Sequence, residues 1–173
     1  MEPARIPARG DVTPKWPGLL LGVGLGGFVD GIVLHQILQW HHMLTAEGCC
    51  PATTVAGLER NTLADGLFHA STWIALVIGL SAMLRLWQRG RIAPPWRRQV
   101  GLAMAGWGLF NLVEGVIDHL VLGVHHVRDD IGAPLGWDLA FLAFGAALVA
   151  GGLALARDRA AASGSASPPM VRS

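Results

Sequence analysis

Two stretches of the chain decide its fold: GFVDGIVLHQILQWHHM at residues 27–43 and NLVEGVIDHLVLGVHHV at residues 111–127. They lie 84 positions apart and share an acid, a glycine and three histidines at equivalent positions. Chance agreement of this kind is unexpected, so we interpret the chain as an internal repeat. The equivalent residues are Asp30 and Glu114, Gly31 and Gly115, His35 and His119, His41 and His125, and His42 and His126.

The composition around these stretches is typical of a membrane protein. Hydrophobic residues make up 52% of the chain and charged residues only 14%, whereas roughly a quarter of an ordinary soluble domain is charged. Apolar runs at about 16–40, 63–86, 99–124 and 135–156 are each long enough to cross a hydrocarbon layer about 30 Å thick. We therefore expect an all-α, integral-membrane four-helix bundle over residues 16–156, embedded in the lipid bilayer.

The distribution of positive charge predicts the orientation of the bundle. Eleven of the 13 Lys and Arg residues lie in the two tails and in the 85–98 loop, whereas the 41–62 and 123–134 loops hold one each, Arg60 and Arg128. By the positive-inside rule, both termini are cytoplasmic, and those two loops face outward. We expect disordered cytoplasmic tails at 1–15 and 157–173. The net charge of +1 gives no indication of a nucleic-acid partner.

The repeat also predicts how the helices are related. The first and third helices run in the same direction, so the chain is interpreted as two repeated helix hairpins about a pseudo-two-fold axis along the membrane normal. Asp65 and Asp138 each lie a few residues into a returning helix. Leu142 stands where the second hairpin would need a counterpart of His69.

Acids and histidines in these helices form one candidate site. Isolated charges in a bilayer are costly, so such groups normally pair, bind metal or contact water. Imidazole and carboxylate without thiolate suit iron or copper best here, with zinc or manganese as alternatives. We expect His35, His69 and His119 as ligands, closed from outside by His42 and His126 or their neighbours. The full candidate set is His35, His69, His119, His42, His126, Asp65, Glu114, Asp118, Asp30, His41, His125 and Asp138.

Two other interpretations of the acids and histidines stay open, and the two cysteines have alternatives of their own. An acid–histidine hydrogen-bond network can hold helices together without metal. A haem can be held between two axial histidines such as His35 and His119, although acids are poor neighbours for a porphyrin and no C-x-x-C-H motif is present. The adjacent Cys49 and Cys50 in an outward loop can capture Cu(I) or form a local disulfide.

The expected function is an intramembrane metalloprotein with its site in the outer half of the bundle, and a di-iron or di-copper oxidoreductase is the favoured activity. The alternatives are a protein for copper binding, transfer or tolerance, a haem-binding electron-transfer protein, and a proton or ion path. For the metalloprotein functions we expect a redox or metal-delivery partner on the outer face. Oligomeric state and substrate are not predicted.

The stretches GFVDGIVLHQILQWHHM, NTLADGLFHA and GWGLFNLVEGVIDHLVLGVHH together resemble a bacterial family of predicted four-helix membrane proteins of unknown function. The resemblance covers residues 16–156. It implies a small, multi-pass protein of the bacterial inner membrane and carries no catalytic assignment.

Overall fold

The computed structural model describes residues 14–45, 48, 50–91 and 96–157. The expected tails at 1–15 and 157–173 lie almost entirely outside these residues. Within them the chain is all-helical, with four helical stretches long and apolar enough to cross a membrane, which confirms the predicted fold class. The elements are α1 (Trp16–Asp30), a π-helix π1 (Gly31–Ile37), α2 (Val55–Gln88), α3 (Trp96–Glu114), a second π-helix π2 (Gly115–Leu122), a short 3₁₀ turn (Asp129–Ile131) and α4 (Leu135–Ala156).

The second helix begins earlier than the apolar run near residue 63 indicates. Thr54 caps it, since its side-chain hydroxyl accepts a hydrogen bond from the Gly57 amide at 3.1 Å. Serine and threonine at this position satisfy amides that have no partner within the helix. The first polar turns of α2 therefore extend the helix beyond its apolar part.

The four helices form a row with α1 and α3 at its centre. The helix α2 packs on α1, and α4 packs on α3. In the part of the chain that the structure describes, the backbones of α1 and α4 do not approach each other closely, nor do those of α2 and α3, which touch through the rings of Phe68 and Phe110. The apolar windows of the first and third spans are 44% buried, against 11% for the second and fourth. The outer helices therefore present mostly apolar side chains to their surroundings.

Glycines allow the central helices to approach closely. A Cβ atom on Gly22 would meet the Ala103 carbonyl oxygen, and one on Gly106 would meet the Leu19 carbonyl oxygen. Small residues are common where membrane helices pack by van der Waals contact, because lipid leaves little hydrophobic drive for association. This contact between α1 and α3 holds the two hairpins against each other.

Candidate metal centre

Both π-helices occupy equivalent positions and redirect the chain in the same way. Each begins at the glycine after an acid, Gly31 after Asp30 and Gly115 after Glu114. Shortly after each π-helix a residue has a left-handed backbone: Gln39 at φ 51° in the first hairpin and Gly123 at φ 62° in the second. π-helical segments often occur at functional sites. Here the chain leaves its helix just before the histidine pairs.

Four imidazole rings meet where the two redirected segments converge. His41 and His125 stack face to face, with ring centroids 4.7 Å apart and planes 8° apart. The His35 ring lies 4.4 Å from that of His41, and the His119 ring lies 4.9 Å from that of His125. All four residues are at most 2% exposed. We call these residues the four-histidine cluster.

The acids that precede the π-helices lie against this cluster. The Glu114 Oε1 atom is 2.8 Å from His119 Nε2 and 2.9 Å from His125 Nε2. In the first hairpin, Asp30 Oδ2 is 3.4 Å from His35 Nε2. Both acids are buried. Each hairpin therefore brings a carboxylate and two imidazoles to the same place.

Asp65 of α2 supports the first hairpin from the side away from the cluster centre. Its Oδ1 atom lies 3.0 Å from His35 Nδ1 and accepts the Met43 amide at 3.0 Å. Its Oδ2 atom lies 2.7 Å from His42 Nδ1. Because the carboxylate is an acceptor, it favours the proton on Nδ1 and leaves His35 Nε2 as the atom that can bind a metal.

Asp138 of α4 makes the equivalent contacts in the second hairpin. Its Oδ1 atom lies 3.3 Å from His119 Nδ1 and accepts the Val127 amide at 3.0 Å. Its Oδ2 atom lies 2.8 Å from His126 Nδ1. Phe141 packs on His119 as Phe68 packs on His35, with centroids 5.3 and 5.7 Å apart. The two returning helices therefore orient equivalent histidines in the same manner.

The hydrogen bond of His41 determines which of its ring nitrogens is available to bind a metal. Its Nδ1 atom is 3.1 Å from the Val127 carbonyl oxygen, which can only accept, so Nδ1 carries the proton. Burial, together with the neighbouring rings of His125 and His35, lowers the pKa of His41 well below its usual value. The neutral ring therefore keeps a lone pair on Nε2, and no hydrogen-bond partner for that atom exists among the described residues.

Among the described residues, two groups of three side chains are close enough to hold a metal ion. One is His35, His41 and His125, and the other is Glu114, His119 and His125. In each group one ligand atom from every residue lies within 4.8 Å of the others. Within the described ranges the Nε2 atom of His41 has no hydrogen-bond partner, whereas the Nε2 atoms of His35 and His119 face the carboxylates of Asp30 and Glu114.

The remaining candidate residues lie around this cluster. His42 and His126 bind the supporting acids through Nδ1. His69 turns away: its Nδ1 atom donates to the Asp65 carbonyl oxygen at 2.7 Å, and its Nε2 atom lies next to Gly31. Leu142 faces Gly115 in the same way. Asp118 is half-buried and lines a groove beside Phe68.

Several contributors were not singled out from the sequence. The two phenylalanines that pack on the histidines lie 73 positions apart, as do Asp65 and Asp138, and this second offset is the signal that identifies them. Asn111 has no such signal, since its equivalent is Gly27.

Cys50 is buried and disulfide-bonded, so it offers no thiolate, and Cys49 lies outside the described residues.

Comparison with known proteins identifies a family. The model of the family described as "Predicted membrane protein (DUF2243)" matches residues 17–159, which confirms the resemblance seen in the sequence. The function of that family is unknown. No curated protein and no solved structure matches the chain.

Proposed function

The chain belongs to the DUF2243 family of predicted membrane proteins, and from that premise we propose that it is an intramembrane metalloprotein with a dinuclear histidine–carboxylate centre. Each hairpin supplies one half: Asp30, His35 and His41 from the first, and Glu114, His119 and His125 from the second. The stack of His41 on His125 joins the halves. The duplication of the hairpin is part of this proposal.

The protonation pattern of the imidazoles is the observation that carries it. His35, His41 and His119 each have a carboxylate or carbonyl oxygen at Nδ1. The Nε2 atoms of His35 and His119 face the carboxylates of Asp30 and Glu114, whereas the buried Nε2 atom of His41 has no hydrogen-bond partner in the described part of the chain. Metal-binding histidines are characteristically oriented in this way by the groups that contact their other nitrogen. A network that only held helices together would not leave the Nε2 lone pair of His41 unused, because a buried acceptor without a donor is costly.

The ligand types point to the metal and the chemistry. Imidazole and carboxylate without thiolate suit iron and copper, and also zinc or manganese. We favour a pair of redox metals, since two equivalent half-sites beside one another suit a di-iron or di-copper oxidoreductase. A haem fits less well, because the rings of His41 and His125 occupy the space between His35 and His119.

Elemental analysis of the purified protein tests the centre. We expect about two equivalents of transition metal per chain, and a loss of at least half in His41→Ala and in His125→Ala. His69→Leu is the matched control, because it installs the residue that the second hairpin carries at this position and should leave the metal content unchanged. Less than half an equivalent in the wild-type protein after reconstitution with iron and with copper contradicts the proposal.

Copper transfer is the second candidate, and the exposure of His126 favours it. Its side chain is 27% exposed and contacts buried Asp138 at 2.8 Å, so it offers a route between the surface and the cluster. Exchange with a chelator separates the two functions. A transfer protein releases its metal within seconds to minutes, whereas a resident redox centre keeps it for hours.

The proposed orientation follows from the charged residues. We place the protein in the bacterial inner membrane with both termini cytoplasmic and the metal centre near the outer face, where a redox or metal-delivery partner has access. Fusion of green fluorescent protein and of alkaline phosphatase to the C-terminus tests this. We expect the green fluorescent protein fusion to be fluorescent and the alkaline phosphatase fusion to be inactive. A dark first fusion with an active phosphatase fusion contradicts the orientation.

A further inference from the structure

A cavity of about 300 Å³ lies beside the metal centre, in the gap between α1 and α4. The backbones of these two helices do not approach each other closely in the described part of the chain, and residues of α3 form the floor of the gap. Val29, Trp137 and Phe144 line it and are 36%, 40% and 51% exposed. The cavity therefore opens sideways, toward the surroundings of an apolar span.

The walls of the cavity are aromatic. Trp40, Trp107, Trp137 and Phe141 all line it, and the Trp40 and Trp137 rings pack edge to face at 5.4 Å. Aromatic side chains favour flat rings, through offset-stacked or edge-to-face contacts. A lipid-facing opening and aromatic walls together fit a ligand with a ring and an apolar tail.

Two buried polar atoms of the cavity have no hydrogen-bond partner among the described residues. Asn111 lines it, is 3% exposed, and its Oδ1 atom has no hydrogen-bond partner in the described ranges. The other atom is Asp30 Oδ2, which lies 3.4 Å from His35 Nε2 and belongs to the proposed metal centre. Buried polar atoms are normally hydrogen-bonded, so an acceptor in an apolar pocket indicates a ligand that brings a donor.

The cleft on the opposite side of the bundle provides a comparison. Phe68, Phe110, Ile117 and Glu114 are among its lining residues, but none of the described residues that line it is a tryptophan or an asparagine. Gly27 is equivalent to Asn111, and Val23 is equivalent to Trp107. The features that suit a ring with a hydrogen-bond donor are therefore confined to one of two equivalent clefts.

We propose that the cavity between α1 and α4 binds the head group of a lipid-soluble quinol, with a ring hydroxyl donating to Asn111 and the tail leaving through the lateral opening. The cavity volume accommodates one substituted ring. Ligand pockets of this kind are mostly apolar, with few polar groups that fix the orientation. The proposed hydrogen bond goes to Asn111, which is not one of the proposed metal ligands, so binding does not depend on a metal being present.

The test uses the full-length protein in lipid nanodiscs after removal of metal with a chelator. Decylubiquinol, kept reduced under argon, is titrated against tryptophan fluorescence, and its dimethyl ether serves as the ligand control without a donor. We expect saturable binding of the quinol and about tenfold weaker binding of the ether, the effect of one buried hydrogen bond.

Two pairs of variants complete the test. Asn111→Leu should bind the quinol about tenfold more weakly and no longer distinguish it from the ether. Ala140→Trp, which fills the cavity, should abolish saturable binding, whereas Leu67→Trp at the equivalent place on α2 should not change it. Non-saturable quenching in the wild type, or equal discrimination by Asn111→Leu, overturns the proposal. If Ala140→Trp does not fold, the comparison of the two ligands in Asn111→Leu decides.

Discussion

Replacing Asp65 by asparagine should weaken metal binding at the proposed centre without removing a proposed ligand. The carboxylate holds four donors: the Nδ1 atoms of His35 and His42 at 3.0 and 2.7 Å, the Met43 amide at 3.0 Å and the Gln36 side-chain amide at 3.3 Å. Asparagine keeps the shape but has one oxygen and no charge. Either the amide group of the new side chain then opposes one of these donors, or a histidine must change its tautomer.

The magnitude follows from these contacts. Loss of one charge-assisted bond corresponds to about 2 kcal/mol, and removal of a group that orients a metal-binding histidine typically lowers metal affinity roughly 10- to 100-fold. Chelator competition measures this affinity in the wild type, Asp65→Asn and the counterpart Asp138→Asn. Glu59→Gln, an exposed acid on the same helix, is the control and should behave as the wild type.

Two results would refute the reasoning. Metal affinity within about twofold of the wild-type value in Asp65→Asn would show that the acid does not orient His35 toward an ion. A loss confined to Asp65→Asn, with Asp138→Asn unchanged, would show that the two supporting acids are not equivalent despite their matching contacts.

Three further changes test the packing. Gly106→Leu should prevent α1 and α3 from packing, because its Cβ would meet the Leu19 carbonyl oxygen, and size-exclusion chromatography should show the loss of the native peak. Gly66 faces open space, so the control Gly66→Leu should leave the size-exclusion profile unchanged. Gly123→Ala, at φ 62°, should lower the free energy of unfolding by about 1 kcal/mol, and no loss in denaturant titration would argue against this conformation. Arg128→Met removes a guanidinium that lies 4.4 and 5.1 Å from two tryptophan rings. It should cost roughly 1 kcal/mol in the same assay, and an unchanged midpoint would contradict the contact.

The fold was largely predictable because lipid imposes simple rules on sequence. Four apolar runs of sufficient length predict four helices, since every backbone polar group in a bilayer must be satisfied internally. The row-like arrangement with α1 and α3 at its centre was not predictable in the same way. It depends on glycine contacts such as those at Gly22 and Gly106, and glycines also occur on helix faces that pack against nothing, as at Gly66.

The candidate residues were predictable as a set, but their placement was not. Counting residues along a straight helix puts His41 at the rim, yet it is 1% exposed in the centre of the cluster. The difference arises from π1 and the left-handed residue Gln39, which no hydrophobic pattern reveals. His69 shares one face of α2 with Asp65, as expected, but its Nδ1 atom bonds the preceding turn of its own helix.

The contacts of Asp65 and Asp138 have a consequence for how the protein is assembled. Each acid binds histidines of its own hairpin, so a hairpin newly inserted into the membrane can order its half of the site before the other half has been synthesised. We expect two hairpins produced as separate chains, divided between Arg91 and Trp96, to associate in the membrane and to copurify. Metal uptake would then be the last step of biogenesis, and the purified pair should stay associated after chelation, because the close contact between α1 and α3 needs no metal.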